Sequence, residues 1–98
     1  MKKSLTEINT ILKQHLKEIS EQYKVKELGI FGSYIRGEEQ QLSDIDILVD
    51  FTEPIGLFEF VHLKNLLSEL LESNVDLVMK NAIKPSAKQN ILKETIYV

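Results

Sequence analysis

The sequence contains no cysteine, only two prolines and four glycines, and no long apolar run. The absence of cysteine excludes a disulfide scaffold, a thiol nucleophile and a zinc–thiolate site. No apolar stretch approaches the ~20 residues that a membrane-spanning helix requires, and the N-terminal residues lack the apolar segment of a signal peptide. We therefore expect a cytoplasmic protein with no membrane partner.

An excess of basic residues is also absent. Twelve Lys and Arg stand against fifteen Asp and Glu, which gives a formal net charge of −3. Domains that work by binding nucleic-acid phosphates are usually basic, so no direct contact with nucleic acid is expected. Hydrophobic residues make up 43% and charged residues 28% of the 98 positions. That balance and length are typical of one globular domain, residues 1–98, with one modest core.

Hydrophobic spacing predicts a helix, two strands, a helix, a strand and a helix, in that order. Ser4 and Glu7 have the spacing of a capping box, and apolar residues then recur at helical steps as far as Tyr23. The predicted strands lie at 28–31, 44–49 and 75–79. Pro85 is expected in the first turn of the last helix, which we expect to run to the end of the chain. This order predicts an α/β or α+β fold, a small mixed β-sheet packed by helices.

The second long helix is expected between Gly56 and Ser73, with Asn74 as its stop signal. The apolar residues that recur there at helical spacing are Leu57, Val61, Leu67, Leu70 and Leu71.

Three aspartates are the candidates for chemistry. Asp44 and Asp46 stand two apart in a predicted strand, so their carboxylates should project from one face. Two ionised carboxylates at ~4 Å repel by roughly 4 kcal/mol at an effective dielectric of 20, which favours a shared proton or a bound cation. Mg²⁺ is commonly held by such oxygen ligands together with substrate phosphates. Asp76 lies in another apolar strand, where a charge is costly unless it is partnered, and it is the candidate third ligand. Chance spacing and a solvent-facing strand edge remain alternatives.

Gly32 and Ser33 lie upstream of these carboxylates, at the end of the first predicted strand. A glycine lets a phosphate approach the backbone closely, and a serine at a helix start offers a hydroxyl beside free N–H groups. An ordinary Gly-Ser turn is the alternative. The segment lacks the spacing of a P-loop or of a dinucleotide-binding motif.

Gly32-Ser33, ten further residues and then Asp44-Ile45-Asp46 together resemble the signature of the DNA polymerase β-like nucleotidyltransferase superfamily. The longer strings 32–37 and 43–49 are similar to its small prokaryotic branch, the minimal nucleotidyltransferases, and the resemblance extends over essentially the whole chain. It implies that Asp44, Asp46 and Asp76 coordinate Mg²⁺ and carry the catalysis. It also implies that the nucleotide phosphates bind at Gly32 and Ser33. Arg36, within the motif, could reach a phosphate or form a surface salt bridge.

The same resemblance implies a partner. Members of this branch typically pair with a HEPN-domain RNase toxin, and they silence it by transferring AMP from ATP to a toxin tyrosine. Two alternatives stay open at this stage. One is the same chemistry on a small hydroxyl compound such as an aminoglycoside, and the other is a non-enzymatic antitoxin that acts by binding alone. The short chain disfavours the first alternative, and the three aspartates together disfavour the second.

Overall fold

The computed structural model describes residues 3–32 and 44–98. These residues form three α-helices, a four-stranded sheet and a short 3-10 turn at Lys80–Ala82. In chain order the elements are α1 (Leu5–Tyr23), β1 (Val25–Phe31), β2 (Ile45–Phe51), α2 (Leu57–Leu71), β3 (Val75–Met79), α3 (Pro85–Glu94) and β4 (Ile96–Tyr97).

The first helix begins at the predicted capping box. The Glu7 N–H donates to Ser4 Oγ at 3.2 Å, and the Ser4 N–H donates to Glu7 Oε1 at 3.4 Å. Each side chain thereby satisfies a backbone donor that the helix leaves without a partner. The helix ends where Lys24 takes a left-handed conformation, with φ of 59°. The prediction for α1 is confirmed in its start, its extent and its buried side.

The sheet has the strand order β3-β2-β1-β4. Strand β2 runs parallel to β3 and antiparallel to β1, and β1 is antiparallel to β4. Parallel neighbours need a crossover connection, and α2 supplies it between β2 and β3. The predicted mixed sheet is therefore confirmed, and its parallel pair brings the starts of β2 and β3 together at one end.

The core lies on one face of the sheet, beneath α1 and α2. On β2 the side chains that face the helices alternate along the strand and are completely buried; they are Ile45, Ile47 and Val49. The helices contribute Ile8, Leu12, Ile19, Leu63, Leu67 and Leu71. Most of the buried apolar side chains lie on this face of the sheet. The polar residues of β2 lie on the opposite face.

The predicted helix α2 is confirmed, but not all the apolar residues that indicated it are buried. Leu57 is 76% exposed and Val61 41% exposed, whereas Leu63 is completely buried. The stripe that contacts the sheet repeats every four residues through Leu63, Leu67 and Leu71. At ~100° of rotation per residue, Leu57 and Val61 lie away from that stripe. The helix also stops earlier than predicted, because its C-cap is formed not by Asn74 but by Glu72 in the left-handed region.

The C-terminal residues form a strand that sequence reasoning missed. Tyr97 pairs with Gly29 and Ile96 pairs with Ile30, on the free edge of β1. A Cβ on Gly29 would overlap Thr95 Cγ2, so the glycine makes room for the chain that enters β4. Two residues are too few to show alternation, and pairing with β1 rather than local pattern sets their conformation. Strands β1 and β2 are also longer than predicted, whereas β3 has its predicted bounds.

None of the helices in residues 3–32 and 44–98 is long and apolar enough to span a membrane.

Candidate active site

The parallel register of β2 and β3 places Asp46 directly beside Asp76. Partners in register on neighbouring strands project from the same face, so both carboxylates lie on the face opposite the helix-covered core. The antiparallel register of β1 sets Phe31 beside Asp46 on the other side. Gly32, which follows Phe31, therefore arrives at the same end of this face. The structure brings together two of the three predicted carboxylates and the first residue of the predicted phosphate turn.

Asp44 lies just before β2 and is exposed. The next residue is fixed in place, because the Ile45 N–H donates to the Asn74 carbonyl at 2.9 Å. Asp44 and Asp76 consequently border the same hollow, which has a volume of about 420 Å³. Its other lining residues are mostly polar and come from α2 and from the entry to β3; they are Lys64, Asn65, Ser68, Asn74 and Val75.

Gly32 contacts the Asp46 side chain at a point where no other residue would fit. Its φ is +80°, in the left-handed region that favours glycine. A Cβ at this position would overlap Asp46 Oδ2. The Gly32 N–H donates to Glu94 Oε1 at 3.2 Å. Gly32 therefore packs against the Asp46 carboxylate through its Cα, and its N–H is bound by the Glu94 carboxylate.

The carboxylates differ in exposure. Asp46 is half-buried, whereas Asp44 and Asp76 are exposed. From the sequence, a charge at Asp76 is expected to be costly inside an apolar strand, but this residue, the second of β3, faces solvent and has no such cost. Sequence reasoning selected Asp76 correctly as a neighbour of Asp46, but the physical cause is the parallel register and not a penalty of burial.

The two ends of this face carry charge in different ways. At the far end Lys80 Nζ lies 3.3 Å from Glu27 Oε2, and the hydrogen bond and charge of Glu27 raise the pKa of Lys80. Near the site, no ion pair within residues 3–32 and 44–98 neutralises Asp44 or Asp76. Negative charge is thus compensated at one end and left available to a cation at the other.

The donor chemistry fits Mg²⁺, which takes oxygen ligands and retains several from water or substrate phosphate. In the described part of the chain, however, no three Asp, Glu, His or Cys side chains stand close enough to hold an ion by themselves. The three aspartates lie at one end of this face, but their carboxylates do not converge on a single ion position. They fit an ion whose remaining ligands arrive with a nucleotide, which is the usual manner of Mg²⁺ binding at phosphate sites.

The other predicted residues fall in different places. Ser33 and Arg36 lie outside the described residues. The two histidines lie elsewhere: His15 is on α1, with Nδ1 4.0 Å from Glu18 Oε2, and His62 is exposed on α2. Glu94 was missed entirely. Its position at the end of α3 carries no signal in the sequence, because only the folding of β4 onto β1 brings it to Gly32.

Comparisons of the sequence with known proteins identify similar nucleotidyltransferases. The model of the nucleotidyltransferase domain family matches residues 12–98. The protein adenylyltransferase MntA of Thermococcus cleftensis is 47% identical over 95 residues, which cover 97% of this chain and 96% of that protein.

Solved structures agree with that family in their fold. A minimal nucleotidyltransferase superimposes with a TM-score of 0.74 at 30% identity, covering 91% of this chain and 93% of the other. A chain of the toxin–antitoxin complex MntA-HpeT, in its Y104A variant, superimposes with a TM-score of 0.67 at 25% identity. That match covers 99% of this chain and 72% of the other.

Proposed function

The chain belongs to the nucleotidyltransferase family, and on that premise we propose that it transfers AMP from ATP to a hydroxyl group of a partner protein. The partner that the sequence resemblance implies is a HEPN-domain RNase toxin, the acceptor is a tyrosine, and the chain is the antitoxin that silences it. The name of the T. cleftensis relative supports adenylyl transfer to protein, and the toxin–antitoxin complex among the structural neighbours supports the partner.

The observation that carries this proposal is the register of Asp46 beside Asp76, with Gly32 packed against the Asp46 carboxylate. In this arrangement the carboxylate oxygens can bind a cation, and the glycine lets a phosphate approach the backbone closely. In the proposal Asp44, Asp46 and Asp76 hold Mg²⁺. When bound, Mg²⁺ neutralises the triphosphate and activates the attacking oxygen.

The transfer itself is an in-line displacement at the α-phosphorus. The acceptor hydroxyl oxygen forms the new bond, the bond from the α-phosphorus to the bridging oxygen breaks, and pyrophosphate leaves. Asp76 is exposed at the hollow that it shares with Asp44, and we assign it to receive the proton of the attacking hydroxyl. Gly32 and Ser33 bind the phosphates in this proposal, and Arg36 contributes a further positive charge to them.

The acceptor side of the site favours a protein substrate. Asp44 and Asp76 lie at an open surface hollow. A protein that docks across this end could deliver its own side chain in line with the α-phosphate, so that orientation comes from the complex. Because the reaction consumes ATP, and because of the composition described above, we place it in the cytoplasm.

The test is intact-mass spectrometry of the toxin encoded beside this gene, after incubation with the chain, Mg²⁺ and ATP. We expect a gain of one or more adenylyl units together with loss of RNase activity. The Asp46→Asn variant should still bind the toxin but leave its mass unchanged. Silencing without a change in mass would support the binding-only alternative. Transfer to an aminoglycoside but not to the toxin would support the small-substrate alternative.

A further inference from the structure

Glu94 is the last residue of α3 and is separated from Gly32 by 62 positions, yet the two are in contact. Its Oε1 accepts the Gly32 N–H at 3.2 Å. Gly32 is buried and Glu94 is half-buried. This carboxylate is additional to Asp46, which lies on the other side of the same glycine. Two carboxylates thus flank Gly32, and the one from Glu94 accepts its backbone N–H.

Gly32 has little freedom to move between these two carboxylates. Its Cα packs against Asp46 so closely that a Cβ would overlap Oδ2. Its N–H points toward α3, where Glu94 Oε1 accepts it at 3.2 Å. Without Glu94, this buried N–H would lose its acceptor, and an unsatisfied buried donor costs about 1–3 kcal/mol. The peptide would then gain by turning toward water or toward another acceptor. Because Gly32 contacts Asp46, such a movement would displace the proposed phosphate turn relative to the carboxylate.

Glu94 is itself held by the strand that carries Gly32. The following residue, Thr95, fills the space above Gly29 and donates its hydroxyl to the Ile91 carbonyl at 2.6 Å. Strand β4 then pairs with β1, and the Val98 N–H donates to the Leu28 carbonyl at 2.8 Å. The C-terminal segment 94–98 is therefore anchored along β1 from Leu28 to Gly32. A side chain mounted on so fixed a segment can define the position of the turn.

We infer that Glu94 is a positioning residue that fixes the Gly32 turn in the conformation that receives the triphosphate. This inference rests on the proposed function, since it takes the turn to be the phosphate site. Glu94 acts through the backbone of Gly32 and not by contact with the nucleotide. The property that matters is an acceptor oxygen at the Oε1 position, so glutamine should replace glutamate and alanine should not.

The experiment compares Glu94→Ala and Glu94→Gln with a matched control, Glu21→Ala, which removes an exposed carboxylate from α1. The probe is AMP-PNP with Mg²⁺, and its dissociation constant is measured by calorimetry. In parallel, the ¹⁵N–¹H resonance and hydrogen-exchange protection of the Gly32 amide report on the hydrogen bond itself. We expect Glu94→Ala to shift the Gly32 resonance, to lose its protection and to weaken AMP-PNP binding about tenfold. Glu94→Gln and Glu21→Ala should remain within about twofold of the wild type.

Two outcomes would overturn the inference alone. One is a Glu94→Ala variant that binds AMP-PNP as tightly as Glu21→Ala does, while Asp46→Asn binds it weakly. The other is a Glu94→Gln variant that keeps the wild-type melting temperature and Gly32 resonance but binds AMP-PNP about tenfold more weakly than the wild type. The second outcome decides the matter even if Glu94→Ala fails to fold. If wild type and Asp46→Asn bind the Mg²⁺ nucleotide equally, the site assignment fails, and the role of Glu94 is overturned with it.

Discussion

The two faces of strand β2 differ in what their side chains are used for. On the face beneath the helices, Ile45, Ile47 and Val49 are completely buried. On the other face Asp46 and Asp50 are half-buried, with Leu48 buried between them. One strand thus supplies the centre of the core and the centre of the proposed active site, on positions that alternate. Since the period of a strand is two residues, adjacent positions can be assigned to stability and to chemistry independently.

The largest effect that this comparison predicts is on catalysis, at Asp46. Replacing it with asparagine keeps the volume but removes the charge, and we expect AMP transfer to fall by roughly 10³-fold, as when a charge-stabilising group is lost from a phosphoryl-transfer site. The variant should remain folded, because asparagine keeps the volume of this half-buried side chain. Initial rates from mass spectrometry and a thermal melt of the same preparation check both parts. If Asp46→Asn lost activity only in proportion to its unfolded fraction, Asp46 would serve stability and not catalysis, and the two faces of β2 would not differ in role.

The next effect is on stability, one residue further along the strand. Ile47 is 0% exposed, and Ile47→Ala should lower the free energy of unfolding by about 2–5 kcal/mol through lost burial and the cavity left behind. Urea denaturation measures this loss. Val61→Ala, at a position 41% exposed, is the control and should cost far less. If Ile47→Ala reduced kcat while the protein was still fully folded, the two faces would not be independent.

Ligand binding provides a third, intermediate test of the carboxylate face. A ligand that binds only the folded state at 100 times its Kd adds about 2.7 kcal/mol of stability. Mg²⁺ with ATP should therefore raise the melting temperature of the wild type, and the double variant Asp44→Asn/Asp46→Asn should lose that shift. Asp50→Asn lies on the same face at the opposite end of β2, and it should retain the shift. An equal shift in all three proteins would show that the nucleotide binds elsewhere.

The same contrast explains what could be predicted from the sequence. Alternation in β2 and the capping box of α1 are local signals, and both predictions were confirmed. The helical spacing predicted α2 but not its buried side, because Leu57 and Leu63 are equally apolar and the packing on the sheet decides which of them is buried. The placement of Asp76 beside Asp46 depends on the register of a parallel pair, which no local pattern encodes.

The C-terminal segment shows the limit most clearly. Strand β4 consists of two residues whose conformation follows from pairing with β1, and Glu94 reaches Gly32 only after that pairing has formed. Sequence reasoning selected Asp44, Asp46 and Asp76 through their type and spacing, and their role at the site stays a prediction. It missed the residue that positions the turn, because that role arises from tertiary contact alone.

The smallest effect is expected at the start of α1, which covers the core face from outside. Ser4→Ala removes one side of the capping box and should cost about 1 kcal/mol, a decrease in melting temperature of ~4–8 °C for a domain of this size. The loss arises because the Glu7 N–H no longer has Ser4 Oγ as its acceptor. Ser4→Thr keeps a hydroxyl at the cap, and it should restore most of the stability. At 20 °C below the melting temperature, both variants should transfer AMP at the wild-type rate, since α1 packs on the face of the sheet that holds no carboxylate of the site. A Ser4→Ala rate that falls while the protein is fully folded would mean that strain in the helical layer is transmitted through β2 to Asp46.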